Sequence, residues 1–225
     1  MDLSNELYRN QGVHVDIATF TVDEDIVKVL LVKRKVEPYA GGWILPGGAV
    51  YNNESVDFAA SRELKEKTGL DHVYIKQFQT FGEPDRDPRM RMVSVGYIAL
   101  INKNDVSILH DTPKTLDAQW FDLREVPKLE FDHQQILEQA IKRLRRTIKE
   151  TNIVKDLLPE TFTLPKLQKI YEIILDKDLD RRNFRRKFLT LDLIEATGEV
   201  ENGASRRPGH MYEFKQKEYM EIDIF

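Results

Sequence analysis

One spaced pattern of glycine and charged residues constrains the fold of this chain more than any other segment. Glu54 follows Gly48 after five residues, and a charged run that begins at Arg62 follows after seven more. An amphipathic helix from about residue 53 to residue 68, with Gly69 as its C-terminal cap, accounts for the run. Surface glutamates, lysines and arginines are an ordinary feature of helices, but the whole spaced pattern is far more specific.

Two glutamates and a lysine share one face of this predicted helix. Positions 63, 66 and 67 are related by i+3 and i+4, so their side chains lie together. Three carboxylates there would make an all-oxygen site for Mg²⁺, which binds through one or two carboxylates plus substrate phosphates. Lys67 instead places an ammonium there, where it can pair with Glu63 and repel a divalent ion. Glu63 and Glu66 remain, which leaves only weak metal binding open.

The pattern resembles the Nudix box, and the preceding segment Trp43-Ile44-Leu45-Pro46-Gly47-Gly48 fits the same family. The residues on pattern are Gly48, Glu54, Arg62, Glu63, Leu64, Glu66, Gly69 and Leu70. The resemblance implies an α/β/α sandwich with a mixed sheet, in which a strand, a loop and a helix hold Mg²⁺ against a diphosphate. Lys67 stands where the final glutamate belongs, so we expect a degenerate box with no catalytic residue and no cofactor. Mg²⁺ is expected only if some hydrolase activity survives.

Composition sets outer bounds on the protein class. The 225 residues suffice for one large domain or two small ones. The absence of cysteine excludes disulfides and thiolate metal sites and fits a reducing cytoplasm. The N-terminus lacks signal-peptide features, and the longest apolar run, residues 93–101, is only strand-sized. We therefore expect a cytoplasmic protein with no membrane partner.

Hydrophobic periodicity divides the chain into two domains, residues 1–150 and residues 151–225. Alternating apolar residues and strand-like runs predict strands at positions 13–17, 27–31, 73–80, 92–101 and 120–121. Apolar residues at helical spacing from residue 132 to residue 149 predict a connecting helix. Its apolar stripe is intramolecular core or, alternatively, an interface with a partner.

The second domain has the order of a winged helix-turn-helix. Thr163 is a good N-cap for a helix that runs to about residue 175. A turn at residues 176–180 leads to a second helix at residues 181–191, and a hairpin with a glycine-rich tip follows. Two helices joined by a short turn, followed by a hairpin, are typical of this motif.

The second of these helices is strongly basic. Residues 161–225 contain twelve Lys or Arg and twelve Asp or Glu, but five of the cations lie between Arg181 and Lys187 without an intervening acid. Phe184 and Phe188 anchor one side in the core. Arginine can bind guanine bidentately, asparagine can bind adenine, and either can bind phosphate. The helix is therefore predicted to enter the major groove of duplex DNA through Arg181, Arg182, Asn183, Arg185, Arg186 and Lys187. A solvated charged face is the alternative.

A second basic cluster lies at the predicted hairpin tip. Arg206, Arg207 and His210 are predicted to contact phosphate or the minor groove there.

Together, the two halves resemble the Nudix-related transcriptional regulators over nearly the whole chain. Besides the altered box, the resemblance rests on residues 82–89, residues 179–187 and the Arg207-Pro208-Gly209 wing. The family implies a homodimeric prokaryotic regulator, mostly a repressor, whose winged helix binds a palindromic operator. Its Nudix domain senses a small molecule: ADP-ribose in branches tied to NAD metabolism, and pentoses such as arabinose in branches tied to sugar catabolism.

The charges near the box bear on the effector. A diphosphate needs cations, which Arg86, Arg89 and Lys67 could supply unless the two arginines belong to a solvated loop. A sugar needs partners for its hydroxyl groups, which Glu63 and Glu66 could supply. The lost metal ligand tips the prediction slightly towards a pentose, with ADP-ribose as the alternative.

Two other functions stay open from the sequence. Arg62, Glu63 and Glu66 are intact, so an active Nudix pyrophosphatase acting on ADP-ribose or a related nucleotide is the main rival. An RNA-binding Nudix protein is less favoured, because the chain lacks the exposed aromatic pattern expected of single-strand RNA readers.

Overall fold

The first half of the chain is a seven-stranded mixed sheet between two helices. The computed structural model describes residues 11–71, 73–201 and 209–224. The strands are β1 (Gly12–Asp23), β2 (Ile26–Arg34), β3 (Trp43–Ile44), β4 (Gly47–Ala49), β5 (Tyr74–Phe81), β6 (Met92–Leu100) and β7 (Thr115–Asp122). Their order is β3-β2-β1-β6-β5, with β4 also paired to β1 and β7 to β2. β1 and β6 run parallel whereas the other pairs are antiparallel, as predicted for a mixed sheet.

One helix covers each face of the sheet: α1 (Val56–Thr68) and α2 (His133–Glu150). Alternate residues of a strand point to opposite faces. Ile17 of β1 accordingly belongs to the hydrophobic cluster that contains Leu64 of α1. Phe20, three residues on, belongs to the cluster that contains Leu144 of α2. This arrangement is the predicted α/β/α sandwich.

Ser55 caps the N-terminus of α1, and Gly69 caps its C-terminus. The Ser55 hydroxyl accepts a hydrogen bond from the Phe58 backbone N–H at 3.1 Å, so the helix begins at Val56, a turn later than predicted. Gly69 has a φ of 80° and its N–H donates to the Lys65 carbonyl, as predicted for a C-terminal cap. The caps fix the length of the helix and thereby the positions of its charged side chains.

The connecting helix α2 ends in a buried joint. A short 3₁₀ helix, Ile153–Leu157, follows it, and Ile153 is fully buried. Ile153 and Leu157 belong to the same hydrophobic cluster as Ile148 of α2 and Leu167 of the second half. The apolar stripe of α2 is therefore intramolecular core. This core continues across residue 150, and the domain boundary at that residue stays a prediction.

The last described residues return to this joint. The backbone N–H groups of Ile222 and Ile224 donate to the carbonyls of Glu150 and Lys149 at 2.7 and 2.8 Å. The Tyr219 ring lies 3.8 Å, centre to centre, from the ring of Tyr74 in β5. The C-terminal segment therefore binds the end of α2 and the first-half sheet together.

The second half contains two helices and a three-stranded sheet. The helices are α3 (Leu164–Leu175) and α4 (Arg181–Thr190), and the strands are β8 (Phe162–Thr163), β9 (Ile194–Val200) and β10 (His210–Phe214) in the order β8-β10-β9. Tyr171 of α3 packs edge-on against Phe184 and Phe188 of α4, with ring centres 5.6 and 5.4 Å away. This arrangement is the predicted winged helix-turn-helix. No helix in the described ranges has the length and apolar content needed to cross a membrane.

Candidate functional site

Two glycines ahead of the box helix allow unusually close contacts. β4 pairs with β1 so that Gly47 lies opposite Asp16 and Gly48 opposite Val15. A Cβ at Gly47 would lie 2.2 Å from the Val15 carbonyl oxygen, and a Cβ at Gly48 would lie 2.4 Å from the carboxylate of Glu63. Glycine at position 48 therefore makes room for the Glu63 carboxylate against β4.

Arg62 joins the loop and the helix of the box. Its guanidinium donates to both carboxylate oxygens of Glu54, at 2.8 and 2.6 Å, and to the Ala49 carbonyl at 2.9 Å. It also donates to Glu63 Oε1 at 2.5 Å and lies 4.0 Å from the centre of the Tyr51 ring. The hydrogen bonds from Arg62 lower the pKa of Glu54 to about 2. The spaced residues of the sequence pattern are therefore joined in space.

Lys67 is buried within the box, next to Glu63 as its spacing predicted. Its ammonium donates a hydrogen bond to the Gly47 carbonyl and lies 3.8 Å from Glu63 Oε2. Burial lowers the pKa of Lys67, and the Glu63 carboxylate opposes that shift. The lysine thus stands beside the glutamate that would bind a metal in an intact box.

A second lysine, which the sequence did not single out, completes this cluster. Lys114 lies just before β7, and its ammonium is 2.5 Å from Glu66 Oε2 and 3.1 Å from Glu63 Oε1. Burial lowers the pKa of Lys114, but hydrogen bonds to Glu66 and Glu63 outweigh it and raise the pKa above its ordinary value. The hydrogen bond from Lys114 also lowers the pKa of Glu66. Both remaining carboxylates of the box are therefore held by cations of the chain.

The box residues do not fit Mg²⁺. Lys114 and Arg62 occupy Glu66 Oε2 and Glu63 Oε1. Glu63 Oε2 is buried and has no hydrogen-bond donor within the described part of the chain, but it faces the Lys67 ammonium at 3.8 Å. In the described ranges, no group of three His, Cys, Asp or Glu side chains is arranged to hold a metal ion. Mg²⁺ demands a nearly octahedral shell of oxygens, and this cluster surrounds its carboxylates with ammonium and guanidinium groups instead.

A cavity of about 320 Å³ opens beside the box. Three of the four predicted effector-binding residues line it, namely Glu63, Arg86 and Arg89, whereas the exposed Glu66 is bound to Arg62 and Lys114 outside the lining. The charged lining comprises five cations and three carboxylates: Arg34, Lys67, Arg86, Arg89 and Lys114, with Asp16, Glu63 and Asp87. The volume is that of a small-molecule pocket, and the excess positive charge favours an anionic ligand.

Arg86 lies in a buried charge network at the base of this cavity. Its guanidinium donates to Asp132 at 2.8 and 2.7 Å and to Asp16 at 3.2 Å, and the Ser94 hydroxyl donates to Asp16 at 2.5 Å. Burial raises the pKa of Asp16, but His133 and Arg86 outweigh it and hold the pKa below its ordinary value. The solvated-loop alternative is therefore wrong for Arg86. Since Asp132 is the residue before α2, the network connects the cavity to the start of that helix.

Arg89 lies at an exposed side of the same cavity. Asp87 holds its guanidinium through hydrogen bonds of 2.9 and 2.6 Å. The guanidinium lies 5.8 Å from the centre of the Phe131 ring, and Arg34 lies 5.2 Å from the same ring. Arg34, Arg89 and Phe131 therefore form a wall that combines positive charge with an aromatic face.

The second half presents the predicted basic helix to solvent. All six predicted DNA-contacting residues of α4 are exposed: Arg181, Arg182, Asn183, Arg185, Arg186 and Lys187. The side chain of Asp180 caps the helix by accepting from the Asn183 N–H at 2.8 Å. Gln168 and Glu172 of α3 hold the turn through hydrogen bonds of 2.8 and 3.1 Å to the Leu179 backbone. The orientation of α4 is thus fixed from α3, and its basic face is available to a polyanion.

The hairpin is described only in part. His210 is exposed at the start of β10, opposite Val200 of β9. The predicted contacts of Arg206 and Arg207 lie outside the described residues. The exposed side chains of β9 include Glu195 and Glu199, which carry no positive charge for DNA.

In comparison with known proteins, each half of the chain matches the model of a protein family. The Nudix domain model matches residues 11–144, and the model of the NrtR DNA-binding winged helix domain matches residues 154–214. The "ADPR responsive transcriptional repressor NtrR" of Acinetobacter baylyi is 36% identical over 216 residues, which cover 94% of this chain and 85% of that protein. The chain belongs to the NrtR family of Nudix-related transcriptional regulators.

Solved NrtR structures resemble both the whole chain and its first half. The Shewanella oneidensis NrtR complexed with a 27mer DNA has a TM-score of 0.78 at 34% identity, covering 90% of this chain and 93% of that one. The Nudix domain of the same NrtR complexed with ADP ribose has a TM-score of 0.57 at 36% identity, covering 62% of this chain and 92% of that one. These matches confirm a Nudix fold followed by a DNA-binding winged helix domain. They give the pentose prediction no support.

The sequence missed Lys114, which lines the cavity, and Asp132, which holds the lining residue Arg86. Lys114 lies 51 positions from Glu63, and Asp132 lies 46 positions from Arg86. No local spacing connects such partners, because each belongs to a different element of the fold. Only the basic character of Lys114 itself could have marked it as a counter-ion for Glu63 and Glu66.

Proposed function

We propose that this chain is a transcriptional repressor that binds operator DNA through α4 and is released from it by ADP-ribose bound in the Nudix-domain cavity. The observation that carries the proposal is similarity over 94% of the chain to a protein named as an ADPR responsive repressor. The similarity to NrtR bound to DNA and to its Nudix domain bound to ADP ribose supports the two halves separately.

The charge of the cavity favours ADP-ribose over a pentose as the effector. A diphosphate gains from the excess of cations among the lining residues, such as Arg86 and Lys114. A neutral pentose would gain nothing from that excess. The exposed ring of Tyr51 and the Phe131 ring also line the cavity and offer apolar faces on which adenine can stack.

The DNA-binding role rests on the exposed side of α4. Five cations and Asn183 project from a helix that Phe184 and Phe188 anchor on the opposite side. In helix-turn-helix proteins, the second helix lies in the major groove and contacts base edges through its N-terminal residues. One such helix contacts one half-site, so we include a homodimer on a palindromic operator in the proposal.

The Nudix domain acts in this proposal as a sensor and not as a hydrolase. Lys67 and Lys114 hold the carboxylates that an intact box uses for metal. An active ADP-ribose pyrophosphatase is the alternative outcome, and AMP release distinguishes it.

The proposal is tested by following a fluorescent duplex, selected by this protein from a random library, by anisotropy. Titration with ADP-ribose should lower the DNA affinity by about 5–150-fold, the usual size of allosteric coupling. Arabinose, ribose and AMP serve as matched ligands that lack the diphosphate. An equal response to arabinose, or no response to ADP-ribose, would contradict the proposed effector.

A further inference from the structure

The altered Nudix box contains a closed set of opposite charges. Glu54, Glu63 and Glu66 face three cations of the chain, Arg62, Lys67 and Lys114, in ion pairs between 2.5 and 3.8 Å. Three negative and three positive charges balance within this set. In a box that holds a divalent cation, part of that positive charge comes from the metal.

We propose that Lys67 and Lys114 take the place of the divalent cation, so that this chain binds the diphosphate of its effector without a metal ion. The inference rests on the proposed function, since it concerns how ADP-ribose is held in the same cavity. It assigns a ligand-binding role to Lys114. It also means that Lys67 supplies positive charge that a metal ion supplies in an intact box.

The positions of the two ammonium groups support this exchange. Both lysines line the cavity, one from α1 and the other from the segment before β7. Lys114 approaches Glu63 Oε1 and Lys67 approaches Glu63 Oε2, so the two ammonium groups bracket one carboxylate. A metal ion bound by Glu63 would lie in the same place.

The donors of these ammonium groups suit phosphate. An ammonium has three N–H donors. Lys114 uses two of them on Glu63 and Glu66, and its side chain is 36% exposed, so a ligand can reach the third. Lys67 donates to the Gly47 carbonyl and keeps further donors for the cavity. Charge-assisted hydrogen bonds from cations to phosphate are among the strongest polar contacts that a protein makes.

A divalent ion would be disfavoured by the same arrangement. It would have to displace Lys114 from both carboxylates and would then lie beside the Lys67 ammonium. Lys67 cannot turn away easily, because it is buried and donates to the Gly47 carbonyl. Like charges at such short range repel strongly when water is largely excluded.

The experiment is calorimetric titration of ADP-ribose into the full chain, once with EDTA and once with MgCl₂. We expect the wild-type dissociation constant to agree within about twofold between the two buffers. Lys114→Gln should weaken binding roughly 10–100-fold in EDTA, the effect of one charge-assisted hydrogen bond. Lys67→Glu should lose binding in EDTA and recover part of it in MgCl₂.

Lys65→Glu is the matched control for position 67. It makes the same charge change on the same helix, but Lys65 is exposed and pairs with Asp71. Its ADP-ribose affinity should remain within about twofold of wild type in both buffers. Thermal unfolding of each variant establishes that it is folded, and Lys114, which lies in a partly exposed loop, keeps the test decisive if the buried Lys67→Glu variant does not fold.

The outcomes separate this inference from the proposed function. Wild-type binding only in MgCl₂ would overturn the metal-free site and leave ADP-ribose as the effector. Metal-independent binding that Lys114→Gln leaves unchanged would also overturn the inference, because the exchange requires that lysine. Absence of ADP-ribose binding in both buffers would defeat the inference and the proposed effector together.

Discussion

Arg86 and Asp132 form a two-point ion pair that joins the cavity beside the Nudix box to the connecting helix. Arg86 Nε and Nη2 donate to Asp132 Oδ2 and Oδ1 at 2.8 and 2.7 Å, and α2 begins at the next residue. At its other end, α2 is bound to the second half, because Arg145 donates to the Ile174 carbonyl of α3 at 3.0 Å. A ligand anion that drew Arg86 away from Asp132 would therefore act directly on a helix that reaches the DNA-binding domain.

Asp132→Asn should weaken this coupling without removing either binding function. The amide keeps the size of the side chain but loses its charge, so Arg86 is bound less strongly to the helix in both states. We expect the ratio of operator affinities with and without ADP-ribose to shrink at least about threefold, a loss within the usual range of coupling energies. Anisotropy titrations with labelled operator measure this ratio.

Asp122→Asn is the control for that substitution. Asp122 also accepts two-point hydrogen bonds from an arginine, Arg124, but that arginine is 74% exposed and is not among the residues that line the cavity beside the box. It should leave the ratio unchanged. Equal ratios in wild type and Asp132→Asn would show that the ion pair does not transmit the signal.

His133 predicts a fall in stability on mild acidification. Its Nδ1 accepts a hydrogen bond from the Leu45 N–H at 3.0 Å, and burial lowers the pKa of His133 below the ordinary 6.5. As the pH falls below about 6.5, His133 therefore takes up a proton more readily in the unfolded chain than in the folded chain. The stabilisation is fully present above that pH and is lost below it, by at most about 1.4 kcal/mol per pH unit from this group.

The comparison of wild type with His133→Asn isolates this contribution. The Asn side-chain oxygen can accept from Leu45 but does not titrate in this range. Urea unfolding at several pH values between 5 and 7.5 should give a shallower dependence for the variant. His14, whose pKa burial also lowers, contributes in the same direction in both proteins and so cancels. Identical slopes would mean that the folded chain protonates His133 as readily as the unfolded chain does.

Gly48→Ala tests the close approach of β4 to the box helix. An added Cβ would lie 2.4 Å from the Glu63 carboxylate, which is held by Arg62 and Lys114. Forcing it aside should cost about 1–3 kcal/mol of unfolding free energy, as overpacking does. Gly82→Ala is the matched control, because its Cβ would meet only Arg91 Nη2 at 3.9 Å. Equal stability of the two variants in urea titrations would argue against the packed position of Glu63.

Local patterns predicted the elements of this fold better than the charged contacts between them. Alternation predicted β1 and β2, and the spacing of Lys67 from Glu63 predicted their pairing, because both depend on residues close in sequence. β7 was predicted only at positions 120–121. In its first half the apolar Leu116 is exposed and the polar Thr115 is buried, so the apolar residues do not follow the burial and give no strand signal.

The cavity network could not be predicted in the same way. Arg86 meets Asp16 across 70 residues and Asp132 across 46, and these partners come from β1 and from the loop before α2. Their meeting depends on how the sheet and helices pack, which no single stretch of sequence encodes. For this reason the sequence could not decide whether Arg86 belongs to a ligand site or to a solvated loop.

Hydrolysis of ADP-ribose should be negligible in the wild type. Lys67 and Lys114 hold Glu63, and Lys114 also holds Glu66, so no carboxylate set remains to bind Mg²⁺ against the diphosphate. Lys67→Glu should recover at most slight activity, because Lys114 still pairs with both glutamates. The double variant with Lys114→Gln should recover more. Chromatography of AMP release with MgCl₂ measures this order, and strong turnover by the wild type would favour the pyrophosphatase.

Operator binding should depend on α4 and on salt. Arg182 and Arg185 are exposed on this helix, and the aromatic residues Phe184 and Phe188 fix its other side. Removing a phosphate contact should lower the slope of log affinity against log salt by about 0.9, whereas removing a base contact should relax sequence preference and cost about 1–3 kcal/mol. The Arg182→Ala/Arg185→Ala variant should therefore weaken operator binding at least about tenfold.

Lys142→Ala/Arg146→Ala removes the same charge from the exposed side of α2 and should keep near wild-type affinity. Anisotropy titrations at several salt concentrations distinguish the two kinds of contact, and an equal loss in both double variants would mean that net charge, and not the position of α4, governs DNA binding.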